Sequence, residues 1–237
     1  MLERRQDGRP LRIGHRGAAA LAPANTLESL QAAVAAGVDV VEFDVLEHPR
    51  DGLVLAHSRR ETAERPLPFD DALAWIASTG CGAHVDLKGA GFEQRVVDAL
   101  DAHGLASRSL VSTSRPPSVR RLAELAPALP RALSYPEDRL GVSGSPVAAP
   151  FVAGGLAAMR RALPLRIGRM LARSGATVAS LHHALVTAAT VERVHALGIP
   201  VIAWTVDDPR RAEELASLGV DGVVTNDPRI FEATLAP

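Results

Sequence analysis

Residues 39–58 read DVVEFDVLEHPRDGLVLAHS, and this stretch decides the fold. DVVEFDV (39–45) is an apolar, β-branched run of strand length, and the strand period of two puts Glu42 and Asp44 on one face. LVLA (53–56) is a second strand. The turn HPRDG that leads to it is too short for a helical crossover, so the pair predicts an antiparallel hairpin. Outward from the hairpin, strand-like pieces recur at LRIG (11–14), AHVDLK (83–88), SLVST (109–113), RALSY (131–135), TVASL (177–181), PVIAWTV (200–206) and GVVT (222–225). Amphipathic stretches at 26–36, 69–79, 91–103, 116–126, 187–197 and 208–218 lie between most of them. Thr26 precedes a helix that stops before Gly37, and Pro209 opens one that Gly219 closes. Such alternation predicts an α/β fold with a parallel sheet inside and helices outside. Eight units in 237 residues predict closure into a (β/α)8 TIM barrel, one domain over 1–237, with 53–56 as an extra hairpin strand after strand 2. The least regular stretch is 136–174.

Composition narrows the function. A net charge of −1 supplies no global basic field, so a nucleic-acid partner is not expected. Uncharged runs break well before the roughly 20 apolar residues of a spanning helix. Cys81 stands alone, and MLERRQDGRPLRIGHRG has no apolar signal core, so a cytoplasmic location is expected, with a flexible 1–10. The chain has 25 Arg but one Lys, Lys88, and only two Asn, Asn25 and Asn226. A lysine retained against that bias points to a position needing a compact ammonium.

In such a barrel the chemistry sits at the C-terminal strand ends. The first strand ends in His15-Arg16-Gly17, the second carries Glu42 and Asp44, and the fourth candidate ends in Asp86-Leu87-Lys88. His57 closes the extra strand, and Ser112 or Ser114, His182, Trp204 and Thr225-Asn226 close later ones. Neighbouring buried carboxylates need a cation or protons between them. Oxygen ligands of this kind suit Mg²⁺ or Ca²⁺. His48, His84, His103 and His195 lack comparable company and read as surface or packing residues, and of His182 and His183 at most one faces the mouth. Three carboxylates, an Arg, a Lys and two His together suggest a phosphate-bearing substrate and a general acid/base pair.

These residues resemble a known family. HRG (15–17) with PANT (23–26), VEFDV (41–45), DGLVLAHS (51–58), PLPFDDAL (66–73), VDLKG (85–89), WTVDDP (204–209) and GVDGVVTNDP (219–228) are similar, in order, to the motifs of the glycerophosphodiester phosphodiesterases, within the phospholipase-C-like phosphodiesterases. The resemblance implies a divalent cation (Mg²⁺ or Ca²⁺, with Mn²⁺ a further option) on Glu42, Asp44 and Asp86. It implies His15 and His57 as the acid/base pair, and Arg16 and Lys88 on the phosphate oxygens. Asn25 would support the first loop and Trp204 would form a wall of the glycerol pocket; His182, from its place at a strand end, is a further candidate for substrate contact. The implied substrate is a small glycerophosphodiester, cleaved to sn-glycerol 3-phosphate and an alcohol. The chain departs from the motifs at Ala24, Ser58 and Asp86, where Glu, Asp and Glu are usual.

About ten residues separate His57 from Pro68, so the cap common in the family is expected to be minimal. The segment 150–173 instead carries five Arg and no acid, with Pro164 interrupting a loose helical period. It reads either as an ordinary barrel helix with a solvated basic face or as a basic element for transient membrane-surface contact. The second case would favour a lysophospholipase-D-like activity. A barrel that binds phosphodiesters without turnover is the non-catalytic alternative.

Overall fold

The computed structural model describes residues 8–61, 66–136 and 149–234. Eight parallel strands close a ring: β1 (Leu11–Gly14), β2 (Val40–His48), β4 (Gly82–Leu87), β5 (Ser109–Thr113), β6 (Arg131–Tyr135), β7 (Val178–His182), β8 (Val201–Trp204) and β9 (Gly222–Thr225). Closure runs through β1, which pairs in parallel with both β2 and β9. The remaining strand, β3 (Gly52–Leu55), lies outside the ring, antiparallel to β2 from Val45↔Leu55 to His48↔Gly52. Helices α1 (Leu27–Ala35), α2 (Phe69–Ala77), α3 (Glu93–Ala102), α4 (Pro116–Leu125), α5 (Ala149–Ser174), α6 (Ala188–His195), α7 (Pro209–Ser217) and α8 (Ile230–Thr234) complete the units. The TIM barrel and its hairpin strand are as the sequence predicts.

Two apolar zones hold the ring. The larger fills the space between sheet and helices, where outward residues such as Val41, Phe43, Val85 and Val111 meet Leu30, Leu73, Val96 and Leu122. The smaller plugs the barrel's floor with Ile13, Val40, Leu110, Ala132, Val178, Ile202 and Val224. Two residues further along each strand the inward position turns polar: His15, Glu42, Ser112, Ser134, Ser180 and Asn226, with Trp204 closing β8. An apolar plug beneath a polar mouth therefore follows from the strand period alone.

The irregular stretch departs from expectation. Residues 137–148 lie outside the described residues, but 149–174 form a single helix that Pro164 does not break. Proline removes one backbone donor, yet Leu163, Ile167 and Leu171 on either side recur every four residues and are 1–2% exposed. Their burial holds the helix to the barrel across the defect. At roughly 1.5 Å per residue, α5 is about 39 Å long, against about 15 Å for a ten-residue neighbour. Among its described side chains, the fully buried ones, Leu163, Ile167, Leu171 and Ser174, lie in the C-terminal half. The helix also touches the 3₁₀ turn His183–Leu185 at the mouth end of β7, so its surplus N-terminal half lies on the mouth side. The short link replacing a cap is described as far as Glu61 and again from Pro66, and 62–65 lie outside the described residues. So do residues 1–7 at the N-terminus. No helix among the described residues is long and apolar enough to cross a membrane.

Candidate active site

The loop after β1 is shaped by its own hydrogen bonds. Gly17 (φ 82°) packs so closely on α1 that a Cβ there would lie 2.4 Å from Ser29 backbone, which excludes any side chain. Ser29 Oγ donates to the Arg16 carbonyl at 2.8 Å, and Thr26 with Ser29 forms the capping box of α1. Arg16 and Asn25 both take left-handed backbone conformations, φ 49° and 60°. Arg16 N–H thereby donates to Glu42 Oε2 at 2.8 Å. Strained backbone at two residues of one loop is the kind of geometry kept where function needs it.

Asp44 is the hub. Asn25 clasps it twice, accepting from its backbone N–H at 3.0 Å and donating to its Oδ2 at 3.1 Å. Arg16 Nε stands 3.0 Å and His57 Nδ1 3.1 Å from Oδ2, while Lys88 Nζ stands 2.8 Å from Oδ1. Lys88 also pairs with Asp86 Oδ2, and Asp86 Oδ1 accepts from Ser112 Oγ. β3 delivers His57, because Ala56 N–H bonds to the Asp44 carbonyl at 3.1 Å and so carries the hairpin past the strand end. His57 Nδ1 is also 3.0 Å from Arg16 Nη2. On the other side, His15 Nδ1 meets Asn226 Oδ1 at 2.7 Å and its Nε2 lies 4.0 Å from Glu42 Oε2.

The electrostatics follow. Burial and the neighbouring Asp44 and Asp86 push the Glu42 carboxyl well above its ordinary range. Burial opposes the charge on Asp44, but Lys88, His57 and Arg16 overcome it and hold that carboxyl far below its ordinary range. Burial would strip Lys88 of its proton, yet the three carboxylates around it raise its affinity for that proton. His15 is lowered from 6.5 by burial and by the Arg16 charge, so its ring is neutral at pH 7.

One oxygen from each of Glu42, Asp44 and Asp86 lies within 4.8 Å of the others. Three carboxylates face two cations here, Arg16 and Lys88, so the cluster is one positive charge short. A hard divalent cation fits both the donor set and that charge deficit.

A cavity of about 410 Å³ opens over this cluster, lined by His15, Arg16, Glu42, His57, His84, Asp86, Lys88, Ser112, Ser134, Ser180 and Trp204 among others. That size suits a small ligand. A larger depression of about 680 Å³ around Pro130, Thr177, His195 and Pro200 lies away from these groups. Of the residues singled out in the sequence, His15, Arg16, Glu42, Asp44, His57, Asp86, Lys88 and Asn25 converge. Trp204 forms a wall. His182 stands behind it, its ring edge-on to the indole at 5.3 Å and its Nδ1 accepting from Ala184 N–H at 3.2 Å.

One reading needs correction. His84 is neither a surface nor an ordinary packing residue. It is 3% exposed on the cavity floor, with Nε2 2.8 Å from Ser112 Oγ. Burial lowers its pKa to about 4. The signal was its spacing: His84, Asp86 and Lys88 alternate along one strand face. Ser134 and Ser180 carried no signal, because a serine inside a short apolar strand resembles any half-buried one. His48, His103 and His195 pair with Asp51, Asp70 and Asp221, and none of the three lines this cavity.

Fold and site together define a barrel hydrolase whose mouth combines a carboxylate cluster, cations and two imidazoles, the equipment of a phosphoric ester hydrolase. Residues 15–64 and 76–230 match the Glycerophosphoryl diester phosphodiesterase family, and the chain belongs to it. It is 24% identical over 251 residues to YhdW of Bacillus subtilis, covering 91% of this chain and 94% of that one. Among solved structures it is similar to one from Silicibacter pomeroyi DSS-3 (TM-score 0.77, 21% identity, 99% and 95% coverage). It is also similar to an Oleispira antarctica phosphodiesterase in complex with the product sn-glycerol-3-phosphate (TM-score 0.75, 20% identity, 98% of each chain).

Proposed function

We propose that this chain hydrolyses small glycerophosphodiesters to sn-glycerol 3-phosphate and an alcohol, with His15 and His57 as its proton carriers. The observation that carries the reading is the placement of His15 beside Glu42 and His57 beside Asp44, so that two imidazoles flank one carboxylate cluster in one cavity. Glu42, Asp44 and Asp86 would hold a single Mg²⁺, Ca²⁺ or Mn²⁺, which would supply positive charge to the phosphate oxygens. Lys88 and Arg16 now neutralise the carboxylates. With a cation there, their charge becomes available to the phosphate as negative charge develops on it.

The two histidines differ in a way that suits opposite roles. His15, neutral and facing an amide on its Nδ1, is the base. His57, its Nδ1 turned to the Asp44 carboxylate and the Arg16 guanidinium, keeps Nε2 for the departing alkoxide and is the acid. Asn25 fixes Asp44, Trp204 walls the glycerol side, and His182 braces Trp204. Buried, unpaired Cys81 is in keeping with a cytoplasmic setting.

The test is release of sn-glycerol 3-phosphate from glycerophosphocholine and glycerophosphoethanolamine by wild type and His57→Ala. Release that collapses in the variant supports the reading, and phosphodiester binding without release by wild type would replace it with the non-catalytic barrel.

A second reading rests on α5. Its mouth-side half carries exposed Arg160, Arg161 and Met159, and Leu165 beyond them is 89% exposed. A basic, partly apolar face beside the mouth suits an anionic lipid surface and acylated substrates of the lysophospholipase-D type. Stronger binding of wild type than of an Arg160/Arg161/Arg166/Arg169 charge-reversed variant to anionic vesicles, with turnover of lysophospholipid, would support it. Equal, weak binding by both would remove it.

A further inference from the structure

Asn226 sits between an acidic side chain and a candidate base, and its geometry leaves it one orientation. Its Nδ2 lies 2.7 Å from Asp207 Oδ2, and its backbone N–H donates to Asp207 Oδ1 at 2.8 Å. Thr225 Oγ1 donates to the same Oδ1 at 3.1 Å. A carboxylate only accepts, so the amide atom facing Asp207 must be the nitrogen. Flipping Asn226 would oppose two acceptors at 2.7 Å. Its oxygen therefore faces His15 Nδ1, also at 2.7 Å. An amide oxygen cannot donate, so Nδ1 must carry the proton. In the neutral ring, Nε2 is then the bare nitrogen, and Nε2 is the atom 4.0 Å from Glu42 on the cavity side.

We infer that Asp207, exposed and absent from the cavity wall, is a positioning residue: through Asn226 it fixes His15 in the Nδ1–H tautomer, with the Nε2 lone pair turned to the reacting groups. The inference rests on the reading of His15 as the base, since a bare Nε2 is what a base requires. A histidine with the opposite tautomer presents an N–H where a proton must be taken, and the catalytic cost of a wrong tautomer is large in other hydrolases.

Single and reciprocal exchanges separate this role from mere support of the loop. Asp207→Asn frees Asn226 to turn its amide nitrogen toward Nδ1. Asn226→Asp sets two carboxylates against each other. The double exchange Asp207→Asn/Asn226→Asp rebuilds the chain of bonds, with the amide at 207 donating to the carboxylate at 226 and that carboxylate accepting from Nδ1–H. The experiment is ¹⁵N NMR of histidine-labelled, substrate-free protein at a pH where the ring is neutral, with the His15 signal assigned by its loss in His15→Gln. kcat and KM on glycerophosphocholine are measured beside it.

Wild type is expected to show Nδ1–H. Asp207→Asn is expected to shift the signal toward Nε2–H and to lower kcat about tenfold or more, with KM within about twofold. The double exchange is expected to restore both. An Nε2–H tautomer in wild type would overturn the inference. So would an Asp207→Asn protein that keeps the Nδ1–H signal, whether or not its kcat falls. The tautomer is read without substrate, so absence of turnover on glycerophosphocholine would count against the proposed substrate and not against this assignment.

Discussion

The two halves of the barrel mouth are built from the same scaffold and differ in chemistry. On the β1–β4 side, Arg16, His57 and Lys88 crowd around the buried Asp44 carboxylate, with Asp86 on Lys88 and His15 beside Glu42. On the β5–β8 side the inward residues at the same depth are Ser112, Ser134, Ser180 and Trp204. Charge is therefore concentrated on one wall of the cavity, and the opposite wall is neutral apart from Arg115. The contrast suggests that reaction and recognition are divided between the walls. On the proposed function, the charged wall would act on the phosphate and the largely neutral wall would meet the rest of the substrate.

That division can be broken most severely at Asp44. Asp44→Ala should lower kcat/KM by at least about a thousandfold, roughly 4 kcal/mol of transition-state stabilisation, and should abolish metal binding in a calorimetric titration. His15→Ala and His57→Ala should each cost about 10²–10⁴ in kcat. If His15 is the base, activity rises as its ring loses a proton. Its pKa is lowered, so the acid limb of the kcat/KM profile should have its midpoint below 6.5. The neutral wall should respond differently. Trp204→Leu should raise KM about threefold to tenfold with less effect on kcat, visible in steady-state kinetics on glycerophosphodiesters.

The smallest effect concerns stability. His182 has a pKa near 4, lowered by burial and then by His183. The unfolded ring, near 6.5, takes up a proton first on acidification, so stability present above pH 6.5 is lost as pH falls toward 4. With partial solvent exposure allowed for, the contribution is about 1 kcal/mol. His182→Asn should flatten that part of the stability profile in denaturant titrations at a series of pH values.

The two walls also differed in how far they could be read from sequence. Charged residues inside apolar strands are costly unless they have a purpose, so Glu42, Asp44, Asp86 and Lys88 stood out, and the strand period placed them on one face. The barrel itself was legible for the same reason: apolar runs and amphipathic stretches alternate along most of the chain. Ser134 and Ser180 were not legible, because nothing in a serine's spacing separates a lining residue from a packed one. His84 was passed over although it shares the face of Asp86. The clasp of Asn25 on Asp44, and that of Asp207 on Asn226, each join successive units 19 residues apart in ways no local pattern signals. The contact of Asn226 with His15, 211 residues away, forms only when the ring closes. The helix over 149–174 was obscured by Pro164, whose lost hydrogen bond weighs less than the buried Leu163, Ile167 and Leu171.

The most direct test of the account is a metal add-back. Protein stripped of divalent cations, and the same protein with Mg²⁺, Ca²⁺ or Mn²⁺ restored, would be assayed for sn-glycerol 3-phosphate release from glycerophosphocholine beside Glu42→Ala. The account predicts no release from the stripped protein, recovery with at least one of the three ions, and no recovery in the variant. Full release from stripped protein, or from Glu42→Ala, would contradict it.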